Sequence, residues 1–284
     1  MFLVKWRMFN TCNFNCSYCI NKSLNKLAPM QNDIIIPRLI NYAKNIKRLI
    51  ENEPSTEYYK LLLIGGEITI LPEDDLINIL NTLYSKKLRS LIITSNFSAP
   101  FKYYVKIQEW CTEHDVTFHL TVSLHEEFFI VDRFLEKAKE IKDIIDDFNI
   151  EQVVTKKNKE IVEKVKEYCE ENNIVIAFDF DRNEQWEADE VIRKRDILRN
   201  TINPYGYTCS NSKFQINIMP EGTVYGVNCK GRKLMGLINM LPKLIREEII
   251  CDQTKCSFCG KIRIYDKEGN QVFSSVDDDW EHNW

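Results

Sequence analysis

The sequence predicts an α/β protein in which parallel strands alternate with helices, followed by a small cysteine-rich β-hairpin region. Six strand-like segments alternate with helical stripes between residues 2 and 180, at intervals of about thirty residues. Such a succession favours right-handed crossovers and a parallel sheet, either wound or closed into an open barrel. The composition changes after residue 200, where five of the ten cysteines follow. We therefore expect two parts, residues 1–200 and 201–284.

The elements of the first part follow from their hydrophobic periodicity. Strand-like residues 2–10 precede a cysteine-rich loop, and a helical stripe beginning at Leu39 continues to residue 51. A continuous apolar run at 60–64, KLLLI, is typical of a parallel strand covered on both faces. The later helices are predicted around 76–83, 104–111, 131–148 and 161–168, and the later strands at 91–94, 117–124, 150–155 and 174–180.

Two hairpins are predicted in the second part. The segment 213–227, KFQINIMPEGTVYGV, has strand-like halves joined by Pro220-Glu221-Gly222. A second hairpin is predicted at 261–273, KIRIYDKEGNQVF.

Composition excludes several classes of protein. The chain of 284 residues is 44% hydrophobic, enough for a substantial core. Its net charge of -4 and pI near 5.7 argue against a large nucleic-acid surface. No run of eighteen apolar residues exists, so no membrane span is expected. Charges at Lys5 and Arg7 argue against a secretion signal, and we expect a cytoplasmic protein whose cysteines are metal ligands.

Three cysteines lie close together in the loop at residues 11–19, TCNFNCSYC. Cys12, Cys16 and Cys19 have the spacing C-x3-C-x2-C, and three thiolates can hold three corners of a cubane 4Fe-4S cluster. No fourth cysteine lies nearby, so one iron would stay open. Zinc would require four ligands, and no histidine precedes His114. A disulfide would require an oxidising compartment.

This loop, placed after an apolar strand and before a helix, resembles that of the radical S-adenosylmethionine (radical SAM) superfamily. In that family the open iron chelates the amino and carboxylate groups of SAM. Reductive cleavage then gives a 5'-deoxyadenosyl radical that abstracts hydrogen from a substrate. The resemblance implies a partial six-stranded barrel with its active site at the carboxyl ends of the strands. It also implies an electron donor of the flavodoxin or ferredoxin type.

Gly65-Gly66-Glu67 ends the second predicted strand. A glycine pair lets a ligand approach the backbone, and a carboxylate accepts bonds from an ammonium group, although an ordinary turn has the same residues. The triplet resembles the GGE motif that holds the SAM amino group, with Ile68-Thr69 in place of the family's Pro-Thr. By the same resemblance, further SAM contacts are expected from Tyr18, Ser95, Asn96, Ser123 and His125. Plain strand-end hydrogen bonds are the alternative for Ser123 and His125.

The second group of cysteines comprises Cys209, Cys229, Cys251, Cys256 and Cys259. The first two bracket a predicted hairpin, and C-x4-C-x2-C follows. The group resembles a shortened SPASM, or twitch, domain, which binds one auxiliary iron-sulfur cluster; the resemblance implies a 4Fe-4S cluster. The analogy makes Cys209, Cys229, Cys256 and Cys259 the ligands and leaves Cys251 over. A structural zinc on the same cysteines is the alternative. Cys111 and Cys169 lie on apolar helical stripes and are predicted core residues.

The resemblance implies an oxidoreductase in which the auxiliary cluster oxidises a substrate radical. Its substrate would be a small sugar-like, aminocyclitol-like or amino-acid molecule, or a peptide to be modified. Asp179, Asp181 and Arg182 end the sixth strand and are candidates for a base or substrate anchor, with ordinary salt bridges as the alternative. An epimerase with Cys251 as hydrogen donor is a second hypothesis. A third is a non-catalytic iron-sulfur or zinc protein for electron transfer or partner binding.

Overall fold

The computed structural model describes residues 2–19, 30–181, 184, 203–226, 234–251 and 263–274. Four of the predicted site residues, Arg182, Cys229, Cys256 and Cys259, lie outside these ranges. Their roles therefore stay predictions from the sequence.

Strands and helices alternate through the first 180 residues, as the sequence predicts. The strands are β1 Phe2–Arg7, β2 Tyr59–Ile64, β3 Leu88–Ser95, β4 Thr117–Leu124, β5 Asp147–Val154 and β6 Val175–Phe180. The helices between them are α1 Asn32–Glu51, α2 Glu73–Leu83, α3 Phe101–Glu113, α4 Val131–Lys142 and α5 Lys159–Glu171. A short 3-10 helix, Ile68–Ile70, follows β2.

The six strands form one parallel sheet in the order of the sequence. Each of β1 to β5 pairs in parallel with the strand that follows it. All six carboxyl ends therefore meet at one edge, where Glu67, Asn96 and His125 follow β2, β3 and β4. Among the described residues, no helix combines the length and apolar character needed to cross a bilayer.

The predicted hairpin of the second part continues this sheet. Its strands are β8 Gln215–Ile218 and β9 Thr223–Tyr225, which pair antiparallel around a turn with Gly222 at φ +87°. β8 also lies parallel beside β1, and β10, Leu234–Leu237, pairs with β9. Within the described residues, the large sheet has nine strands in the order β10-β9-β8-β1-β2-β3-β4-β5-β6.

A separate sheet, with four strands in the part of the chain that the structure describes, contains the second predicted hairpin. Its order is β11-β7-β12-β13. The strands are β7 Thr208–Cys209, β11 Ile249–Ile250, β12 Arg263–Tyr265 and β13 Gln271–Ser274. The division of the chain at residue 200 stays a prediction. Both β7 and β8 follow this residue, but β8 belongs to the large sheet and β7 to the small one.

Alternate residues of each strand face the helices or the opposite, inner face of the large sheet. Phe118, Leu120 and Val122 of β4 belong to the main core, together with the buried stripes of the helices. Leu3, Leu62 and Ile92 form a second, small apolar cluster. Because Leu62 and Ile92 alternate with main-core residues, this second cluster marks the inner face.

The boundary between α4 and β5 corrects one prediction. The stripe from residue 131 to Phe148 predicts a single helix, but α4 ends at Lys142 and β5 begins at Asp147. Ile145 and Phe148 are buried in the same core as the helix, from the turn and from the strand. The helical spacing therefore continues beyond the end of α4, because Ile145 and Phe148 pack into the same core as the helix. The first strand also ends earlier than predicted, at Arg7.

Candidate active site

The cysteine loop lies directly against the end of β2. The Gly66 N–H donates to the Phe9 carbonyl and the Glu67 N–H to the Thr11 carbonyl, each at 2.9 Å. A Cβ on Gly65 would stand 2.4 Å from the Phe9 oxygen, and a Cβ on Gly66 only 1.7 Å from the Thr11 oxygen. The glycine pair is therefore required for the contact between these two backbones, a role that the sequence did not indicate.

Glu67 is enclosed by the end of β3. It is 1% exposed, and its Oε1 accepts hydrogen bonds from the Thr69 N–H (3.0 Å), the Thr69 hydroxyl (2.7 Å) and the Ser95 hydroxyl (2.9 Å). Oε2 accepts from the Asn96 N–H at 2.5 Å. Burial raises the pKa of the Glu67 carboxyl, and these hydrogen bonds oppose the rise. Glu67 thus caps the short 3-10 helix and ties β2 to β3.

Asn96 joins the end of β3 to the cysteine loop. Its side-chain N–H group donates to Asn13 Oδ1 at 2.8 Å and lies 3.9 Å from Cys12 Sγ. The Asn13 amide in turn donates to the Ser98 hydroxyl at 2.9 Å. Asn13 was missed in the sequence analysis, although its position next to a predicted ligand was a signal for it.

His125, which follows β4, lies against the same loop. Its Nδ1 is 3.0 Å from the Tyr18 hydroxyl and 3.4 Å from Cys16 Sγ. Burial lowers the pKa of His125 to about 4, against the opposing charge of Glu127, so the ring is neutral at pH 7. Glu127 also accepts a hydrogen bond from the Ser17 N–H at 2.8 Å. The loop is therefore bound by the ends of β2 and β3 and by the segment after β4.

The donor set of the loop fits a cluster held by cysteine thiolates. Cys12 Sγ accepts a hydrogen bond from the Phe14 N–H at 3.4 Å, the type of bond that tunes iron-sulfur sites. Burial, followed by the neighbouring Cys19 and Cys12 thiols, raises the pKa of Cys16 to about 12. Bound iron would favour the thiolate of Cys16 against this rise. Within the described ranges, no three His, Cys, Asp or Glu side chains converge as they would around a single ion.

The other predicted site residues occupy three places. Ser123 shares the inner face of β4 with His119 and is paired in register with Glu151 of β5. Asp179 is near the end of β6, and the N–H of the buried Asp181 donates to the Val154 carbonyl at 2.9 Å. Cys209 lies in β7 of the small sheet, and Cys251 directly follows β11.

Cys209 and Cys251 lie close to each other in the small sheet. Cys209 is opposite Ile249 in the pairing of β7 with β11. The Cys251 N–H donates to the Tyr207 carbonyl at 2.8 Å and extends this pairing by one residue. The two cysteines are thus diagonal neighbours on one face, a relation that places Cα atoms about 7–8 Å apart.

Lys137 of α4 is a second residue that the sequence analysis missed. Its Nζ donates to the Phe97 carbonyl (2.8 Å) and the Ala99 carbonyl (2.6 Å), and it lies 4.0 Å from the centre of the Phe97 ring. Phe97 follows Asn96 and has a positive φ of 63°. Lys137 therefore fixes the turn that presents Asn96 to the cysteine loop. A lysine within an apolar helical stripe was the only signal for it.

Comparisons with solved structures identify the fold. anSMEcpe with bound AdoMet aligns at a TM-score of 0.56 and 15% identity, over 84% of this chain and 78% of that one. anSMEcpe with bound AdoMet and Kp18Cys peptide gives 0.55 and 16%, over 84% and 78%. Streptococcus suis SuiB bound to S-adenosylmethionine gives 0.51 and 15%, over 79% of this chain and 60% of that one. No family model and no curated protein matches the sequence.

The chain therefore has an α/β fold that it shares with proteins whose structures contain AdoMet. The predicted parallel sheet with alternating helices is confirmed by this likeness and by the observed strand order.

Proposed function

We propose that this protein is a radical SAM enzyme, with Cys12, Cys16 and Cys19 as the ligands of a 4Fe-4S cluster and SAM at its open iron. One observation carries the proposal. The three-cysteine loop is bound by Gly66, Glu67 and Asn96 at the carboxyl edge of a parallel sheet. When bound, SAM supplies a radical that abstracts a hydrogen atom. The AdoMet in the structural neighbours supports the same conclusion.

The residues around the loop have distinct proposed tasks toward SAM. The Gly65 and Gly66 carbonyls and Glu67 Oε2, which accepts one hydrogen bond from Asn96, are the proposed acceptors for the ammonium group. Ser95 and Asn96 hold Glu67 in place. Further contacts with SAM are proposed for Tyr18, Ser123 and His125. Burial raises the pKa of Tyr18 above its usual range, so its hydroxyl stays a donor.

The proposed reaction is an oxidation with the help of an auxiliary iron-sulfur cluster in the second part of the chain. Resemblance assigns its ligands as Cys209, Cys229, Cys256 and Cys259, and the placement of Cys251 beside Cys209 makes it a competing ligand. A zinc site on these thiols is the alternative. The substrate would be a small sugar-like or amino-acid molecule, or a peptide, as in the neighbour with bound Kp18Cys peptide. A flavodoxin or ferredoxin in the cytoplasm would supply the electron.

The test is the replacement of Cys12, Cys16 and Cys19 together with alanine. Reconstituted protein should lose about four irons and all formation of 5'-deoxyadenosine from SAM under reducing conditions. Replacement of Cys111 and Cys169, both buried in the main core, is the matched control for loss of thiols. Continued SAM cleavage in the triple variant would refute the proposal. Iron binding without SAM cleavage in the unaltered chain would favour a non-catalytic iron-sulfur protein.

A further inference from the structure

An aromatic stack connects the cysteine loop to the surface. Phe14 lies in the loop between Cys12 and Cys16, and its ring is stacked on that of Phe128 with 4.4 Å between the ring centres. The Phe14 N–H donates to Cys12 Sγ at 3.4 Å. Phe128 is 43% exposed. Two short contacts therefore join a proposed cluster ligand to an aromatic ring that reaches solvent.

The turn after β4 directs this ring outward. The N–H groups of Phe128 and Phe129 both donate to the His125 carbonyl, at 2.9 and 3.1 Å. Phe129 packs against the main core, whereas Ile130 is 61% exposed. We call Phe14, Phe128 and Ile130 the loop patch. Exposed apolar side chains that are grouped in this way are typical of interaction surfaces, while single ones are common anywhere.

The edge of the loop patch offers a positive charge to a partner. In the segment from Glu127 to Arg133 both acids are engaged: Glu127 accepts from the Ser17 N–H at 2.8 Å, and Asp132 Oδ1 lies 2.6 Å from Lys164 Nζ. Arg133, exposed in the first turn of α4, makes no ion pair with a described residue. An exposed cation beside an apolar patch favours a partner with acidic groups around its contact surface.

The chemistry proposed for the loop requires a partner protein. Each reductive cleavage of SAM consumes one electron, which must come from a donor outside the chain. Electron transfer between proteins becomes slower as the distance between their redox groups increases, so a donor is most effective on the exposed surface nearest to the loop. An apolar centre with a charged rim is the usual composition of such a contact surface.

We propose that the loop patch is the docking surface for a small acidic electron-carrier protein of the flavodoxin or ferredoxin type, with Phe128 at its centre and Arg133 at its rim. One electron leaves the carrier, which is oxidised, and reduces the cluster proposed for the loop; no bond or proton is exchanged. The inference rests on the proposed function and adds the place where its reductant binds.

The first experiment measures binding without catalysis. Oxidised flavodoxin and ferredoxin of the encoding organism are immobilised in turn, and the affinity of the reconstituted protein is measured by biolayer interferometry at low and high salt. Phe128→Ser should raise the Kd about tenfold or more at either salt concentration, because it removes an aromatic residue from the centre of the contact. Arg133→Glu should raise the Kd at low salt, and high salt should reduce this effect.

Two control variants match these changes in type but not in place. Met240→Ser removes an apolar side chain that is 78% exposed after β10. Lys139→Glu makes the same charge change six residues further along α4, on another side of the helix. Both should bind the carrier as the wild type does. Equal affinity of Phe128→Ser and the wild type, or no binding of either carrier, would overturn the inference.

The second experiment separates this inference from the proposed function. Formation of 5'-deoxyadenosine is measured with titanium(III) citrate, which needs no docking surface, and with the reduced carrier. Phe128→Ser should match the wild type with titanium(III) citrate and show a KM for the carrier that is about tenfold higher. Equal KM values with normal cleavage would overturn the inference alone. No cleavage by the wild type with either reductant would refute the proposed function, even if carrier binding depends on Phe128.

Two further measurements exclude other causes of the same result. Sedimentation velocity tests whether the loop patch instead covers a second copy of the chain: a wild-type dimer that Phe128→Ser converts to monomer would overturn the inference. Iron analysis tests whether the loop is intact. If Phe128→Ser loses iron, Ile130→Ser replaces it in both experiments, with the same expected results and the same contradicting ones.

Discussion

At the scale of single residues, Glu67 has a structural role beside the chemical role proposed for it. Its carboxylate receives four hydrogen bonds from Thr69, Ser95 and Asn96 while it is almost completely buried. From the sequence, only a contact with the SAM ammonium group is expected of it. The structure adds a bracing role, and the two roles predict different consequences of substitution.

Glu67→Ala should therefore lower both protein stability and SAM affinity. Loss of the acceptor leaves buried donors unsatisfied, at a cost of roughly 1–3 kcal/mol, and loss of a charge-assisted bond to SAM costs about ten- to a hundred-fold in affinity. Thr69→Val is the control, because it removes one bracing donor and leaves the carboxylate. Urea unfolding and equilibrium dialysis with SAM measure the two effects. Equal SAM affinity in the two folded variants would restrict Glu67 to bracing.

Lys137 predicts a specific dependence of stability on pH. Burial lowers the pKa of Lys137 from 10.5 to about 8, against the opposing charge of Glu67. Between these values the unfolded chain binds more protons, so a stability penalty that is complete below pH 8 is relieved as pH rises. The free energy of unfolding of the wild type should therefore increase relative to that of Lys137→Met between pH 7 and 10. Urea unfolding at both pH values measures it, and a pH-independent difference would contradict it.

The site residues that could be predicted from the sequence are those with a distinctive side-chain chemistry or spacing. The three loop cysteines were singled out because few other roles use three thiols at that spacing, and Gly65-Gly66-Glu67 because it follows such a loop at the end of the second predicted strand. His119 and Asp147 were not singled out, because the contact between His119 Nδ1 and Asp147 Oδ2 depends on the register between β4 and β5. The sequence indicated only that polar and apolar residues alternate along Thr117–Leu124, so that one face of β4 is polar.

At the scale of elements, the end of β2 packs directly against the cysteine loop. Gly66→Ala would place a methyl group 1.7 Å from the Thr11 oxygen, so the loop must move. We expect a loss of about 3 kcal/mol or more and poor incorporation of iron. Gly269→Ala is the control: it has φ +86° but no atom within 4 Å of the added carbon, and should cost about 1–2 kcal/mol without loss of loop iron. Full iron content in Gly66→Ala would show that the loop tolerates the displacement.

The small sheet yields a prediction about Cys251. If Cys209, Cys229, Cys256 and Cys259 are the ligands, Cys251→Ala should keep about eight irons per chain; if Cys251 takes the place of one of them, as its diagonal relation to Cys209 allows, the content should fall to about four. SAM cleavage should persist, because the cysteine loop is unaffected. Iron and deoxyadenosine analysis measure both quantities. Full iron with loss of product but continued deoxyadenosine formation would instead support the epimerase hypothesis, with Cys251 as hydrogen donor.

Element boundaries were predicted less well than element types. The spacing from Val131 through Ile141 fixes α4 correctly, but Ile145 and Phe148 extend the same pattern beyond it. Periodicity reports which residues face the core and does not distinguish a helix from the turn and strand that follow it. The Gly222 turn was predictable, since a positive φ there favours glycine.

At the scale of the whole molecule, the two predicted parts are joined through the large sheet. β8 pairs with β1 in parallel, and its Ile216 and Ile218 are fully buried in the main core. Arg246 adds a second connection: its guanidinium lies 4.5 Å from the centre of the Phe2 ring and donates to the Ser55 and Thr56 hydroxyls. Sequence alone gave no indication of the pairing, because contacts between distant segments leave no local pattern.

Truncation tests how far this connection determines stability. A chain of residues 1–200 would expose the backbone edge of β1 and the core surface that Ile216 and Ile218 cover. An unpaired, apolar edge strand promotes association between chains, so we expect this fragment to aggregate or to unfold at a lower urea concentration. A chain of residues 1–226 retains β8 and β9 and should remain soluble, since the hairpin continues to cover β1. Sedimentation and urea unfolding of the two fragments measure the difference. If the shorter fragment is monomeric and as stable as the longer one, residues 1–200 form an independent domain, as the sequence predicted, and the pairing of β8 with β1 contributes little to the fold.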